Sequence, residues 1–196
     1  MRCPAVFERH PRKVGAAVLL LVFVAGLIAE RGEREAYLPS TGTVTKAVDG
    51  DTLRVTGGGE VYRVRLIGVD TPEAYESDKL TREAKRTKQD KTTIMALGRR
   101  ASAFTRKLCE GRECRLEYDD ANARRGHRDR YQRLLAFVWV TDKAGAEVLV
   151  NAEIIRQGFG KAMTQFEFDS KRQVEFLRLQ REARAEKRGL WGEWKP

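Results

Sequence analysis

The sequence predicts an α+β fold: a five-stranded β-barrel with about three helices, preceded by an N-terminal hydrophobic helix. Three observations carry this. Short segments with period-two alternation and β-branched residues recur along the chain, bounded by Gly/Asp turns. A long amphipathic segment separates the third of them from the fourth, which is the element order of an OB-fold barrel. An apolar run follows a basic N-terminus.

That run, Val14 to Ala29, comes after Arg2, Arg9, Arg12 and Lys13 and ends sharply at Glu30. Sixteen residues at about 1.5 Å each span about 24 Å as a helix, short of the roughly 30 Å of a hydrocarbon core. Residues 1–29 therefore read as a signal peptide or a signal anchor, with no strong small-residue cleavage pattern to separate the two. Basic residues ahead of the run place the remainder outside the cytoplasm, secreted or tethered to the membrane. Residues 30–42 read as a linker, and 43–196 as the folded domain.

Within the domain, Thr43 to Ala47 alternates as a strand, and Asp49-Gly50-Asp51 makes a tight turn. Thr52 to Thr56 is a second strand, Gly57-Gly58-Gly59 a hairpin turn, and Val61 to Val69 a third strand. Residues 74–92 are dense in charge and read as a surface loop with some helical turns. A helix follows from about Thr93 to Cys109, with Ile94, Leu97, Ala101, Phe104 and Leu108 on one face and Gly111 as its stop. Strands are expected at Cys114–Tyr118 and Arg133–Val140, with a turn at Asp142 to Gly145. Asn151 reads as the cap of a short helix, Ala152 to Gln157. Residues 169–187 read as an amphipathic helix through Val174, Phe176, Leu177 and Leu179. Gly189-Leu190-Trp191-Gly192 reads as an apolar tail tied back onto the domain.

The formal charge is +10, with six basic and four acidic residues in the first 35, so most of the excess belongs to the domain. Such a surface suits a phosphate-bearing partner, nucleic acid or an anionic membrane, or is simply well solvated. Two histidines and three cysteines make a Cys/His zinc site a poor fit. Cys109 and Cys114 are close enough in sequence for a short-loop disulfide in an oxidising compartment, and serve equally as two separate small apolar side chains.

The chemistry-bearing residues fall in two strand–turn junctions, Val48-Asp49-Gly50-Asp51-Thr52 and Gly68-Val69-Asp70-Thr71-Pro72-Glu73. Asp51, Asp70 and the Thr71 carbonyl offer the oxygen ligands that calcium takes. Closely spaced carboxylates also repel one another, which favours a cation among them. Arg65 and Arg133 add guanidinium forks matched to the charge of a pentavalent phosphorus transition state.

On these stretches, with Ala101-Ser-Ala-Phe-Thr105, Asp129-Arg-Tyr-Gln-Arg133 and Val150-Asn151 leading to Arg156-Gln-Gly158, the chain resembles the staphylococcal nuclease (thermonuclease) family over about residues 43–193. The resemblance implies a Ca2+ site at Asp51, Asp70 and Thr71, and catalytic roles for Arg65, Glu73 and Arg133. It implies cleavage of DNA or RNA to 3′-phosphate ends by a monomer. Tyr131, Lys161 and Phe166 are the expected substrate-binding positions. Departures are Gln132, where the family often has glycine, and Thr164, where it has a tyrosine. The stretch after Glu73 is also longer than in compact members, by about a dozen residues. The alternatives are a non-catalytic OB-fold that binds nucleic acid or protein, and a lipid-surface protein.

Overall fold

The structure, a computed structural model, describes residues 38–195. The expected N-terminal helix, Val14–Ala29, lies outside the described residues.

The strands are β1 (Thr41–Ala47), β2 (Thr52–Gly57), β3 (Glu60–Leu66), β4 (Val69–Asp70), β5 (Glu113–Glu117), β6 (Leu134–Thr141), β7 (Glu147–Leu149) and β8 (Lys161–Ala162). β2 pairs with β1 and β3, and β5 with β1 and β6, all antiparallel. A parallel pairing of β3 with β6, Arg65 opposite Leu135, closes the five strands into a barrel. Closure leaves no free edge among them. β7 extends β6 as a hairpin, and β4 pairs with β8 as a small separate sheet. Alternate residues of these strands form the core: Val44, Leu53, Val55, Val64, Leu66, Leu134, Ala136 and Val138 are buried.

The helices are α1 (Asp78–Thr87), α2 (Lys91–Cys109), α3 (Val150–Arg156) and α4 (Ser170–Ala185). α1 corrects the reading of 74–92 as mainly loop. Ser77 caps it by accepting from Leu80 N–H, Leu80 is fully buried, and buried Glu83 accepts a 3.1 Å hydrogen bond from Trp194 Nε1. Few apolar residues mark this helix, because its anchor to the domain is largely polar.

α2 buries Ile94, Leu97, Gly98, Ala101, Ser102, Thr105 and Cys109, while Phe104 stacks on Phe159 at 4.2 Å. The tail returns as expected: Leu190, Trp191 and Trp194 pack with Leu97, Ala101 and Ala183.

Three further expectations change, and the two open readings of Cys109 and Cys114 are reduced to one. The third strand stops at Leu66, because Gly68 turns the chain at φ +73 and a Cβ there would meet Phe168 and Phe176 at 2.8 Å. Asn151 caps nothing. It is buried inside α3, accepts from Val138 N–H and donates to the Ile67 and Ala136 carbonyls. Val174 is 67% exposed, α4 burying Phe176, Leu179 and Ala183 instead. Cys109 and Cys114 are free, buried thiols. Burial pushes them up to about 12 and about 11.

Candidate active site

Two turns are brought together, and α2 holds both. In the β1–β2 turn, Asp51 N–H donates to Asp49 Oδ1 at 3.0 Å. The Gly50 carbonyl accepts from the buried Thr105 hydroxyl at 2.8 Å. In the second turn, Asp70 is in β4 opposite Lys161. Glu73 follows where the backbone lies directly on Gly98 of α2: a Cβ on Gly98 would sit 2.4 Å from the Glu73 carbonyl group. The turns meet at Thr71, whose N–H and hydroxyl both donate to Asp51 Oδ2, at 3.1 and 3.2 Å. Gly50 permits this, since a Cβ there would lie 2.6 Å from the Thr71 hydroxyl.

Arg65, near the end of β3, is 9% exposed. It is ion-paired with Asp51, donates to the Val69 carbonyl at 2.9 Å and lies 3.8 Å from Asp70. Burial lowers the pKa of this guanidinium and Arg133 adds to the effect, against Asp70, Asp49 and Glu73. Arg133 stands at the entry to β6. Asp129 accepts from its Nε and Nη2, at 2.8 and 2.7 Å, and Thr52 Oγ1 accepts from Nη1 at 3.3 Å. The same Asp129 carboxylate accepts from the Tyr131 and Arg133 N–H groups, so it shapes the loop as well as aiming the guanidinium. Gln132, a non-glycine residue, adopts the left-handed conformation at φ +61.

Lys79, on the first turn of α1, projects into the carboxylates. Its ammonium donates to Asp70 Oδ1 at 2.8 Å and to the Thr71 carbonyl at 3.4 Å, and lies 2.7 Å from Glu73 Oε1. Lys161 reaches within 3.5 Å of Asp70 Oδ2. Burial alone would raise the Asp70 pKa, but Lys79, Lys161 and Arg65 outweigh it and hold the group below the usual carboxylate range. Burial likewise opposes the charge on Lys79, yet Asp70 and Glu73 raise its pKa. Asp49 goes the other way: burial raises it despite Arg65, Thr52, Arg133 and Lys79.

Asp51, Asp70, Glu73 and Arg65 thus gather around Thr71 and Lys79, and Arg133 lies beside them against Thr52. Asp70, Glu73 and the Thr71 carbonyl converge on one cation. Asp51 is turned to Arg65 and Thr71, and among the described residues no three Asp, Glu, His or Cys side chains form a ready metal cage. The donor chemistry still fits a hard divalent ion, because the oxygens around the ammonium are the kind calcium takes. Tyr131 is 61% exposed, with Arg130 and Arg133 over its ring at 4.8 and 5.4 Å. Lys161 faces the carboxylates and also lies 5.8 Å from the Trp194 ring. Phe166 is 58% exposed, on the segment after β8.

Sequence reasoning missed Lys79, Asp129 and Gly98. Lys79 was hidden in a run of like residues. Asp129 shows its part only when the loop is folded and its carboxylate meets Arg133 and two backbone N–H groups. Gly98 was detectable as an isolated glycine inside a helical pattern, which signals close packing.

A family model described as Staphylococcal nuclease homologue matches residues 63–193. The chain is 32% identical over 157 residues to a thermonuclease of Staphylococcus intermedius, covering 80% of this chain and 76% of that protein. It is 32% identical over 149 residues to the SPbeta prophage-derived endonuclease YokF of Bacillus subtilis (strain 168), covering 76% of this chain and 43% of the relative. It is 31% identical over 148 residues to a thermonuclease of Staphylococcus hyicus, covering 76% and 73%.

Proposed function

The chain belongs to the staphylococcal nuclease homologue family, and from that premise we propose that it is a calcium-dependent nuclease hydrolysing phosphodiester bonds of DNA or RNA to leave 3′-phosphate ends. The observation that carries the reading is the cluster in which Arg65 pairs with Asp51 and lies 3.8 Å from Asp70, with Thr71 and Glu73 beside them and Arg133 held next to the cluster at Thr52. Relatives named thermonuclease and endonuclease support it.

Asp51, Asp70 and the Thr71 carbonyl would hold the metal. Bound there, it would supply Lewis-acid polarisation of a phosphate oxygen. The chain's own groups do the rest. Arg65 and Arg133 bind the scissile phosphate and neutralise charge developing on its oxygens, with Asp129 keeping Arg133 in place. Glu73 orients a water molecule, or takes its proton, for attack on phosphorus in line with the departing 5′ oxygen. The exposed Tyr131 ring offers a stacking surface for a base. The apolar run Val14–Ala29 supports an exported domain, secreted or tethered.

The test is cleavage of single-stranded DNA and RNA by the purified protein with calcium and with chelator. Cleavage should stop in chelator, and Glu73→Gln or Arg133→Ala should slow it by about 10²–10⁴-fold with the fold intact. Activity unchanged by chelation would remove the metal. Near-normal turnover in both variants would remove those residues. DNA bound but left intact would make the chain a binding module.

A further inference from the structure

We propose that Lys79 is a built-in occupant of the metal position: in the metal-free protein its ammonium fills that position, and it must withdraw before a divalent cation binds. This rests on the calcium reading above.

The contacts are those of a cation site. The Lys79 ammonium is 2.8 Å from Asp70, 2.7 Å from Glu73 and 3.4 Å from the Thr71 carbonyl. Two of these donors, Asp70 and Thr71, are the ones the metal would use. A metal ion and this ammonium therefore cannot both hold them.

The placement is not explained by the helix. Lys79 is the second residue of α1, where the helix dipole favours anions and disfavours a cation. Asp78 and the Ser77 cap satisfy that terminus. The lysine makes sense from the side of the carboxylates: it is the cation shared by Asp70 and Glu73, which would otherwise repel each other.

The helix is also fixed in place. Leu80 and Glu83 are buried, Glu83 accepts from Trp194, and Gln89 binds both the Glu193 carbonyl and Lys195 N–H. Ser77 Oγ donates to the second oxygen of Glu73 at 3.3 Å. The α1 backbone is thus clamped by the C-terminal segment, while the Lys79 side chain itself is 40% exposed. Withdrawal needs only a rotamer change toward solvent, and the helix stays where it is.

Calcium is titrated calorimetrically into the full chain without substrate, for the native protein, Lys79→Met and Lys79→Gln. Melting is followed in chelator and in saturating calcium. Both variants should bind calcium about tenfold more tightly, within the usual range for coupled sites. They should melt lower than the native protein in chelator, with the gap closing in calcium. Variant affinity equal to or weaker than native overturns the proposal and leaves the calcium reading standing. A native protein that takes up no calcium overturns both. As an independent readout, the Lys79 Cε resonance of the native protein should move at calcium saturation, and an unmoved resonance counts against the withdrawal.

Discussion

Adding one methyl group at Gly98 tests whether α2 sets the position of Glu73. A Cβ there would lie 2.4 Å from the Glu73 carbonyl carbon and oxygen and 2.6 Å from Ala74 N. Carbon–carbon contact is comfortable only from about 3.5 Å, so the Glu73 backbone must retreat by about 1 Å. The contacting atoms are main chain, with no flexible side chain to absorb the shift. For stability the change has two opposed parts. Alanine gains about 1 kcal/mol of helix propensity over glycine, and overpacking costs about 1–3 kcal/mol. The net is a loss of about 0–2 kcal/mol, or a melting temperature lower by up to about 8 °C for a domain of this size. For catalysis, a displacement of about 1 Å in a positioned group costs about 10²-fold. The assay is single-turnover cleavage of a single-stranded oligonucleotide, beside a melting curve. Gly98→Ala should fold and cleave about a hundredfold more slowly. A variant that melts higher, as helix propensity alone would give, and cleaves at the native rate would refute the claim that this contact positions Glu73.

Two further outcomes follow from the same geometry. Asp129→Ala removes the acceptor of two backbone N–H groups and the partner of Arg133, costing about 1–3 kcal/mol. Its cleavage rate should fall between native and Arg133→Ala, because the guanidinium remains but is unaimed, and native-rate cleavage would show that the ion pair organises nothing. The second concerns acid. The folded Asp70 pKa is held below its ordinary 3.8, so its contribution is complete above about pH 4 and is lost as pH falls through the folded value. In chelator, native melting temperature should therefore drop more steeply below about pH 4 than that of Asp70→Asn, and parallel slopes would contradict the pairing with Lys79, Lys161 and Arg65.

The barrel was legible because half-buried strands print their alternation: Tyr62, Val64 and Leu66 are buried while Val61 and Arg63 are exposed. The carboxylate turns were legible because each is local. What failed was whatever depended on a distant partner. Asn151 has the composition of a cap, and only the 84-residue reach of its amide to Ile67 shows that it ties α3 to the turn after β3. α1 carries few apolar residues, and its anchor, Glu83 to Trp194, spans 111 positions. Lys79 could not be told from Lys85, Lys88 or Lys91 until the fold put one of them over Asp70. Val174 was placed on a buried face by periodicity that the actual rotation of α4 does not honour.

The resting charge of the site follows from the same contacts. Asp49, Asp51, Asp70 and Glu73 face Arg65, Lys79 and Lys161, while Arg133 is already matched by Asp129. Buried charges are tolerated only when paired, and this set is nearly balanced before any metal or substrate arrives. A divalent cation that takes the place of the Lys79 ammonium sets Arg65, Lys161 and its own two charges against the four carboxylates, so the site reaches neutrality and a phosphodiester no longer meets an excess of carboxylates. On the proposed calcium reading, these charges favour the cation binding before the phosphate. Lys79 keeps the set balanced until the first of them comes.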